Sequence, residues 1–397
     1  MNLTLNILLT TAGFLLLLLT FYDIFATILR ATRYPGPVSQ LINRGLWRAL
    51  CRLTRNLDRR RRHRILSMLG PLLMPLLIAS FVTMLVFGFA LIYLPRIETD
   101  FVTATVETRN PLFQALYFSG ITLTTLGYGD IVPSAPFMRV MALIEGFCGI
   151  AILTLSITYL LIVYGALERK RTLALSFYHQ ARQGADIAGF ISSHFSRGRF
   201  HSLTETLRDA TRDLQELLES HLEHPIIHYF HALEVYKGLP RALFVVLETV
   251  AILNAHVDES EYIEAGDHPD VLIAGDNARY VLAELITALK LETIATRPFE
   301  NEADSLKRHK RSFTRALRHL RSVKIKTRTD TERAFREYLE DRTEWETQLY
   351  HFAAFLGYDW DEVTGDRDLE DAADDEIIER HENLVTKDED KPKLTAS

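Results

Sequence analysis

The pattern of apolar and polar positions divides the chain into two parts. Three apolar stretches, about Leu5 to Leu29, Leu66 to Leu94 and Met138 to Tyr164, are long enough to cross a bilayer, since about 20 helical residues span roughly 30 Å of hydrocarbon. From Thr172 onward, apolar residues recur every three or four positions, which predicts amphipathic helices. These are Leu203 to Leu222, Tyr229 to Tyr236, Ala242 to Asn254, Ala278 to Thr293, Leu306 to Val323 and Thr331 to Leu356.

Charge follows the same division. Residues 1–167 carry 14 Lys and Arg against 7 Asp and Glu, whereas residues 168–397 carry 31 against 44. Eleven arginines and one acid, Asp58, lie between Arg30 and Arg64. Because cytoplasmic loops retain positive charge during insertion, this loop is predicted to be inside and the amino terminus outside. The first apolar stretch has no basic residue before it, so we interpret it as a permanent helix rather than a signal peptide.

A second basic pattern follows the break at residues 34–37. Apolar residues from Val38 to Leu57 recur at helical spacing, and Arg44, Arg48, Arg52 and Arg55 form an opposing stripe. This predicts an amphipathic helix on the inner membrane surface with its arginines near anionic headgroups, although a plain connector is the alternative. The segment is too polar to cross the membrane, which excludes a conventional voltage sensor.

The segment between the second and third stretches contains a short predicted helix and a glycine-rich turn. Asn110 and Pro111 suit a helix start, and the helix from Leu112 to Thr124 is too short to span a membrane. It leads into Thr124-Thr125-Leu126-Gly127-Tyr128-Gly129-Asp130. Gly127 and Gly129 can adopt the left-handed conformations that turn successive carbonyls to one side.

These seven residues resemble the selectivity filter of the potassium channel superfamily, in which rings of backbone carbonyls replace the ion's hydration shell. The usual valine is Leu126 here. The resemblance spans about residues 66–167. It implies K⁺ as the transported ion and a homotetramer, since one copy of the filter is present. The implied K⁺-binding residues are Thr125, Leu126, Gly127, Tyr128 and Gly129, and the implied supporting residues are Thr124, Asp130 and Tyr117.

The resemblance also assigns roles along the third apolar stretch. Gly149 stands at the offset of a gating-hinge glycine, with Gly146 as the competing candidate. The expected cavity-lining residues are Ile150, Leu153, Thr154 and Ile157. Two acids lie within apolar sequence: Glu145 is expected to pair with a neighbouring backbone or helix, and Asp23 to face either headgroups or another helix.

The second part offers fewer chemical signals. A glycine fingerprint for dinucleotides is absent from the sequence, as is the strand pattern of a cyclic-nucleotide barrel. His221, His224, His228 and His231 are spaced as metal ligands or a proton sensor could be, but Pro225 interrupts them, which favours an ordinary packed or solvated role. With no nucleophile-base set or phosphate loop, we predict that the protein is not an enzyme, and we expect neither a cofactor nor nucleic acid.

Together these observations predict an all-α membrane protein with three transmembrane helices, a re-entrant pore helix and filter, and an all-α cytoplasmic domain. The predicted function is a tetrameric K⁺ channel of a bacterial-like inner membrane. A weakly selective cation channel and a signalling receptor on a channel-like scaffold are the alternatives. The predicted parts are an N-terminal helix (1–30), a basic loop (31–65), a pore domain (66–167), a helical domain (168–366) and a disordered acidic tail (367–397).

Overall fold

The computed structural model describes residues 3–30, 35–103, 110–178, 186–266, 268–291 and 302–367. Within these ranges the chain is almost entirely helical. The helices are α1 Leu3–Ile24, α2 Pro37–Thr54, α3 Arg59–Tyr93, α4 Pro111–Leu123, α5 Pro136–Tyr178, α6 Ile187–Ser193, α7 Leu203–Glu223, α8 Leu239–His256, α9 Pro269–Leu289, α10 Glu302–Ser322, α11 Thr331–Phe355 and α12 Trp360–Thr364.

Short irregular and extended elements connect the helices. A π-helix, Phe25–Leu29, continues α1, and 3₁₀ turns occupy Leu94–Arg96, Pro225–Tyr229 and Val235–Lys237. Strand β1 (Phe101–Thr103) pairs antiparallel with β2 (Ile131–Pro133), and β3 (Phe195–Ser196) with β4 (Arg199–Phe200).

The described chain forms two compact units. The first contains Met1–Glu168 together with Glu219–His231, and the second contains Arg169–Leu218 and Ala232–Ser397. The first change of unit falls between Glu168 and Arg169, next to the point near residue 167 where the charge of the sequence changes. The return of Glu219–His231 to the first unit has no counterpart in the sequence pattern. The predicted tail lies outside the described residues from residue 368 onward.

Among the residues that the structure describes, four helical segments are long and apolar enough to cross a membrane: Leu3–Leu29, Arg59–Arg96, Pro136–Phe177 and Leu239–His256. The first three contain the three predicted apolar stretches. The fourth contains α8, and 94% of it is buried inside the protein. Because α9 and α11 pack around α8, we interpret α8 as the core of the second unit.

Two sequence-predicted helices need correction. The helix predicted from Tyr229 to Tyr236 is wrong, because this stretch holds only the end of one 3₁₀ turn and the start of another. The helix predicted from Ala278 begins earlier, at Pro269. The His268 ring accepts a hydrogen bond from the Asp270 amide at 3.2 Å and caps this start, and proline is well suited to the first helical position.

In the first unit, α1 packs along α3 at a close glycine contact. A Cβ on Gly13 would lie 2.7 Å from the Gly88 carbonyl oxygen, and one on Gly88 would lie 2.6 Å from the Leu17 side chain. Small residues let two helix backbones approach closely, which is how helices associate where lipid removes the hydrophobic driving force. Glycines at these two positions therefore dock the N-terminal helix onto α3.

Asp23 connects the end of α1 to the start of α2. Its carboxylate is fully buried and accepts hydrogen bonds from the Val38 amide at 2.6 Å and the Ser39 amide at 3.3 Å. The Ser39 hydroxyl also donates to it, and Thr27 donates at 3.2 Å. A carboxylate at a helix N-terminus satisfies amides that have no partner within the helix. Of the two sequence-based possibilities for Asp23, the structure supports the contact with another helix.

The buried residues of α2 show which of its faces packs against the rest of the protein. Its buried residues are Ser39, Asn43, Trp47 and Thr54. The apolar side chains of Leu41 and Leu53 are 74% and 76% exposed. The leucine stripe that makes the helix amphipathic is therefore not what attaches it to the protein.

The second unit contains a buried charged cluster around α8 and α11. Arg342 contacts Glu248 at 3.2 Å and Glu346 at 2.9 Å, and the His309 ring lies 2.8 Å from Glu346. Burial opposes ionisation of Glu346, but the Arg342 guanidinium and His309 hold the pKa of this carboxyl below its usual value. Removing one partner of a buried ion pair is costly because the other charge is left uncompensated.

We predict that replacing Asp23 by alanine lowers the free energy of unfolding by about 2–4 kcal/mol, because several buried donors lose a charged acceptor. Thermal unfolding of the purified protein in detergent measures this change. Asp58 precedes α3, and its side chain makes no capping bond. Asp58→Ala is therefore the matched control and should unfold close to the wild type. Equal midpoints for the two variants would contradict the role of Asp23.

A second prediction concerns acid stability of the second unit. A carboxyl whose folded pKa is lowered stabilises the fold above its unfolded pKa, here 4.5, and loses that contribution as the pH falls through the folded value. The stability difference between wild type and Glu346→Gln should therefore be largest near pH 7 and shrink below pH 4.5. Unfolding midpoints followed by tryptophan fluorescence test this. The exposed Glu340 on the same helix provides the control Glu340→Gln, and a pH-independent difference for Glu346→Gln would refute the prediction.

Candidate functional site

The candidate site begins at helix α4, whose start matches the sequence prediction. The Asn110 side chain accepts hydrogen bonds from the amides of Leu112 and Phe113, at 3.1 and 3.5 Å, with Pro111 in the first turn. The helix ends at Leu123, with Thr124 as its C-cap. Its carboxyl end, which carries partial negative charge, therefore lies directly before the stretch Thr124–Asp130.

The backbone of this stretch alternates in handedness. Thr125, Gly127 and Gly129 have φ values of +59°, +52° and +79°. The left-handed conformation predicted for the two glycines is therefore present, and Thr125 shares it. A residue with a Cβ adopts this conformation at a cost of roughly 1–2 kcal/mol. Sequence reasoning missed Thr125, because threonine carries no signal for a positive φ.

Hydrogen bonding fixes the direction of two carbonyls. The amides of Leu126 and Gly127 both donate to the Ile121 carbonyl of α4, at 2.9 and 3.3 Å. These peptide bonds are trans, so the carbonyl of each peptide points opposite to its amide. The carbonyls of Thr125 and Leu126 therefore point away from α4. Residues 124–129 are exposed on this single chain, with Leu126 at 59% and Tyr128 at 69%.

The far end of the stretch is attached to the loop that follows α3. Strands β1 and β2 pair there, with Phe101 opposite Pro133, and the Ser134 amide donates to the Asp100 carbonyl at 2.8 Å. Asp130 accepts a hydrogen bond from the Tyr117 hydroxyl of α4. Asp130 and Tyr117, two of the supporting residues that the resemblance implies, are therefore in contact, and the stretch is held at both ends.

Behind the stretch, a buried carboxylate joins α3, α4 and α5. Glu145 of α5 is fully buried and accepts a hydrogen bond from the Tyr93 hydroxyl of α3 at 2.8 Å. It also contacts the Ser119 hydroxyl of α4, which lies 3.0 Å from the Val86 carbonyl of α3. The sequence predicts a pairing with a neighbouring helix or backbone for Glu145, and the contact to Tyr93 and Ser119 is such a pairing.

Aromatic packing reinforces the same junction. The rings of Tyr93, Phe101 and Phe118 meet edge to face, with centroids 5.0 to 5.6 Å apart. This geometry suits the aromatic quadrupole. The rings come from the end of α3, from β1 and from α4, so one cluster holds three elements around the stretch.

Gly149 of α5 packs closely against the end of α4. A Cβ at this position would lie 1.8 Å from the Leu123 carbonyl oxygen, whereas one at Gly146 would lie 3.9 Å from its nearest neighbour, the Thr122 carbonyl oxygen. The structure therefore supplies a packing reason for glycine at 149. Helix α5 continues through this residue without interruption.

One face of α5 below the stretch is exposed on the single chain. It carries the expected cavity-lining residues Ile150, Leu153, Thr154 and Ile157, of which Leu153 is 63% exposed. A cavity of about 270 Å³ lies beneath the stretch, between α3, the end of α4 and α5. Its lining is Ile78, Val82, Leu123, Thr124, Thr125, Gly149, Ile150, Ile152, Leu153 and Ser156.

The four candidate histidines lie elsewhere and do not form one group. His221 and His228 face each other with ring centroids 4.9 Å apart, His224 packs edge-on against Tyr159, and His231 pairs with His63. Across the described residues, no group of three or more His, Cys, Asp or Glu could hold a metal ion.

We predict that Tyr93→Phe lowers the free energy of unfolding by about 1–3 kcal/mol, because a buried carboxylate oxygen loses its donor. Thermal unfolding in detergent measures the change. Tyr22 is 54% exposed, so Tyr22→Phe is the matched control and should leave the midpoint unchanged. A Tyr93→Phe protein as stable as this control would refute the role of the buried carboxylate as a junction.

Comparison with known proteins agrees with this geometry. Residues 77–165 match a family model described as ion channel. The chain is 27% identical over 248 residues to the uncharacterized membrane protein YdjJ of Bacillus subtilis strain 168. The aligned region covers 62% of this chain and 70% of YdjJ. No solved structure gives a significant match. The chain is therefore a membrane protein whose residues 77–165 form an ion channel domain of the two-helix type.

Proposed function

We propose that the protein is a K⁺-selective channel in which four copies surround one pore and K⁺ moves passively down its electrochemical gradient. The supporting observation is the backbone of Thr124–Asp130. Left-handed residues at 125, 127 and 129 alternate with their neighbours, and the Thr125 and Leu126 carbonyls point away from α4. Such carbonyls can replace the hydration shell of a K⁺ ion.

The need for four copies follows from the exposure of the site. A dehydrated ion requires oxygen ligands on all sides, and one copy of residues 125–129 supplies one side. The exposed Leu126 and Tyr128 side chains and the exposed face of α5 are apolar surfaces that neighbouring copies would cover. In this arrangement Thr125, Leu126, Gly127, Tyr128 and Gly129 bind K⁺, and Ile150, Leu153, Thr154 and Ile157 line the cavity below.

The same proposal includes an orientation and a location. The arginine-rich segment from Arg30 to Arg64 lies on the cytoplasmic side of an inner membrane, where anionic headgroups attract basic side chains. The exposed leucines of α2 face the lipid. The amino terminus is then outside, the Thr124–Asp130 stretch lies near the outer surface, and the second unit is cytoplasmic.

A weakly selective cation channel is the nearest alternative, and a receptor built on a channel-like scaffold is the other. The retained Tyr128 and both glycines favour K⁺ selectivity over the first. Reversal potentials in mixed Na⁺ and K⁺ distinguish the two kinds of channel. Liposomes that pass no K⁺ with the wild-type protein would favour the receptor.

The test of the filter compares two glycines that both leave room for a Cβ but differ in backbone conformation. A Cβ atom on Gly127 or on Gly120 would have no neighbouring atom within 4 Å, but of the two glycines only Gly127 has a positive φ. In K⁺ flux assays with reconstituted liposomes, Gly127→Ala should lower flux at least about tenfold, because the left-handed conformation costs about 1–2 kcal/mol in each copy.

Gly129→Ala should behave in the same way as Gly127→Ala. Gly120→Ala should keep most of the flux, because this glycine lies in α4 and a Cβ there is neither strained nor crowded by its own chain. Wild-type K⁺ flux and selectivity in both filter variants would overturn the assignment of the filter.

A further inference from the structure

The segment Glu219–His231 is separated in sequence from the channel domain but belongs to the first unit. It contains the end of α7 and the 3₁₀ turn Pro225–Tyr229. Ile226, Ile227, His228 and Tyr229 within it are at most 4% exposed. These residues are therefore buried, and their 3₁₀ turn packs against α2 and α3.

One contact of the segment with α3 depends on a glycine. A Cβ on Gly70 would lie 2.7 Å from the Phe230 ring and 2.9 Å from the Phe230 Cα. Because the second distance involves backbone, a side-chain rotation alone cannot relieve it. Gly70 therefore provides the space in which Phe230 docks against α3.

A second contact with α3 is made by a histidine pair. The Nδ1 atom of His63 lies 2.7 Å from Nε2 of His231, and the rings stack with centroids 5.0 Å apart. Both side chains are buried. The hydrogen bond fixes the cytoplasmic end of α3 against the last residue of the segment.

The segment also contacts α2 and α5. Tyr229 packs against Trp47 of α2 with ring centroids 5.7 Å apart. On α5, Tyr164 meets Phe230 edge-on at 6.3 Å, and Tyr159 meets His224 at 5.6 Å. Both tyrosines follow the proposed cavity residues along α5. One short segment therefore joins the outer helix, the basic helix and the later part of the pore-lining helix.

The chain on both sides of the segment belongs to the second unit, which contains Arg169–Leu218 and Ala232–Ser397. A rearrangement of that unit would act directly on both ends of Glu219–His231. The width of a pore lined by α5 can change only if α5 moves relative to its neighbours. A segment bound to both α3 and α5 resists such movement.

We propose that Glu219–His231 is an intramolecular clamp through which the second unit controls opening of the pore. The docking surface is formed by Gly70, His63, Trp47, Tyr159 and Tyr164, and its occupant is this segment of the same chain. The proposal rests on the proposed channel function. It specifies how the channel is regulated.

The test compares Gly70→Ala with Gly45→Ala in the full chain. Both glycines lie inside helices, but a Cβ on Gly45 has nothing within 4 Å, so the gain in helix propensity is the same and only docking differs. Phe230→Ala removes the docked ring from the other side and provides an independent variant. Hydrogen exchange of residues 225–231 measures docking, and K⁺ flux with single-channel recording measures opening.

We expect faster exchange of residues 225–231 in Gly70→Ala and Phe230→Ala, together with at least a fivefold change in open probability. Either an increase or a decrease in open probability supports a clamp, because release of the segment destabilises whichever state of the pore, open or closed, the segment holds. Selectivity for K⁺ over Na⁺ should stay unchanged, and Gly45→Ala should resemble the wild type.

Faster exchange without a change in open probability would overturn the proposal, and so would unchanged exchange in both docking variants. A wild-type protein that passes no K⁺ would instead refute the proposed channel function. In that case the exchange data would still report whether the segment docks, so the two failures are distinguishable.

Discussion

The structure of the channel domain depends on how backbone polar groups are satisfied at membrane depth. Irregular backbone is tolerated there only when it is buried in protein or lines a water-filled cavity. The turn after α4 meets this requirement in an asymmetric way. The Leu126 and Gly127 amides share one helix carbonyl, while the carbonyls of the same two peptides face away from α4. Oxygen atoms that would be costly in lipid thereby become available as ligands.

That arrangement requires α4 to be held accurately, and several unlike contacts hold it. The Glu145 carboxylate joins α4 to α3 and α5, three aromatic rings pack the outer end, and the absence of a side chain at Gly149 lets the end of α4 touch α5. Polar and close-packed contacts are suited to holding α4, because the hydrophobic effect does not drive apolar side chains of two helices together in lipid. The cost of burying Glu145 is offset by its donors.

The two units differ in the way they use buried charge. In the first unit, Asp23 and Glu145 are buried acids whose hydrogen-bond donors are hydroxyls and backbone amides. In the second, Arg342 lies between Glu248 and Glu346 and over the rings of Phe244, Tyr338 and Trp345. Any other packing of the helices that separated these partners would leave an uncompensated charge buried. The cluster can therefore specify one packing of the helices. A helical unit with a single packed arrangement would suit the role proposed for the second unit in controlling the pore.

The sequence alone predicted the three apolar spans, the start of α4 at Asn110, the left-handed glycines and the helical second part, since each depends on local periodicity, capping or φ preference. Only the tertiary structure determined the features that depend on contacts between residues far apart in the sequence. These are the positive φ of Thr125, the partners of Asp23 and Glu145, and the packing role of Gly149. The tertiary structure also showed that no helix begins at Tyr229 and that Glu219–His231 packs beside α3. Phe230 fits there because Gly70, 160 residues earlier, has no side chain, and no local pattern records such a match.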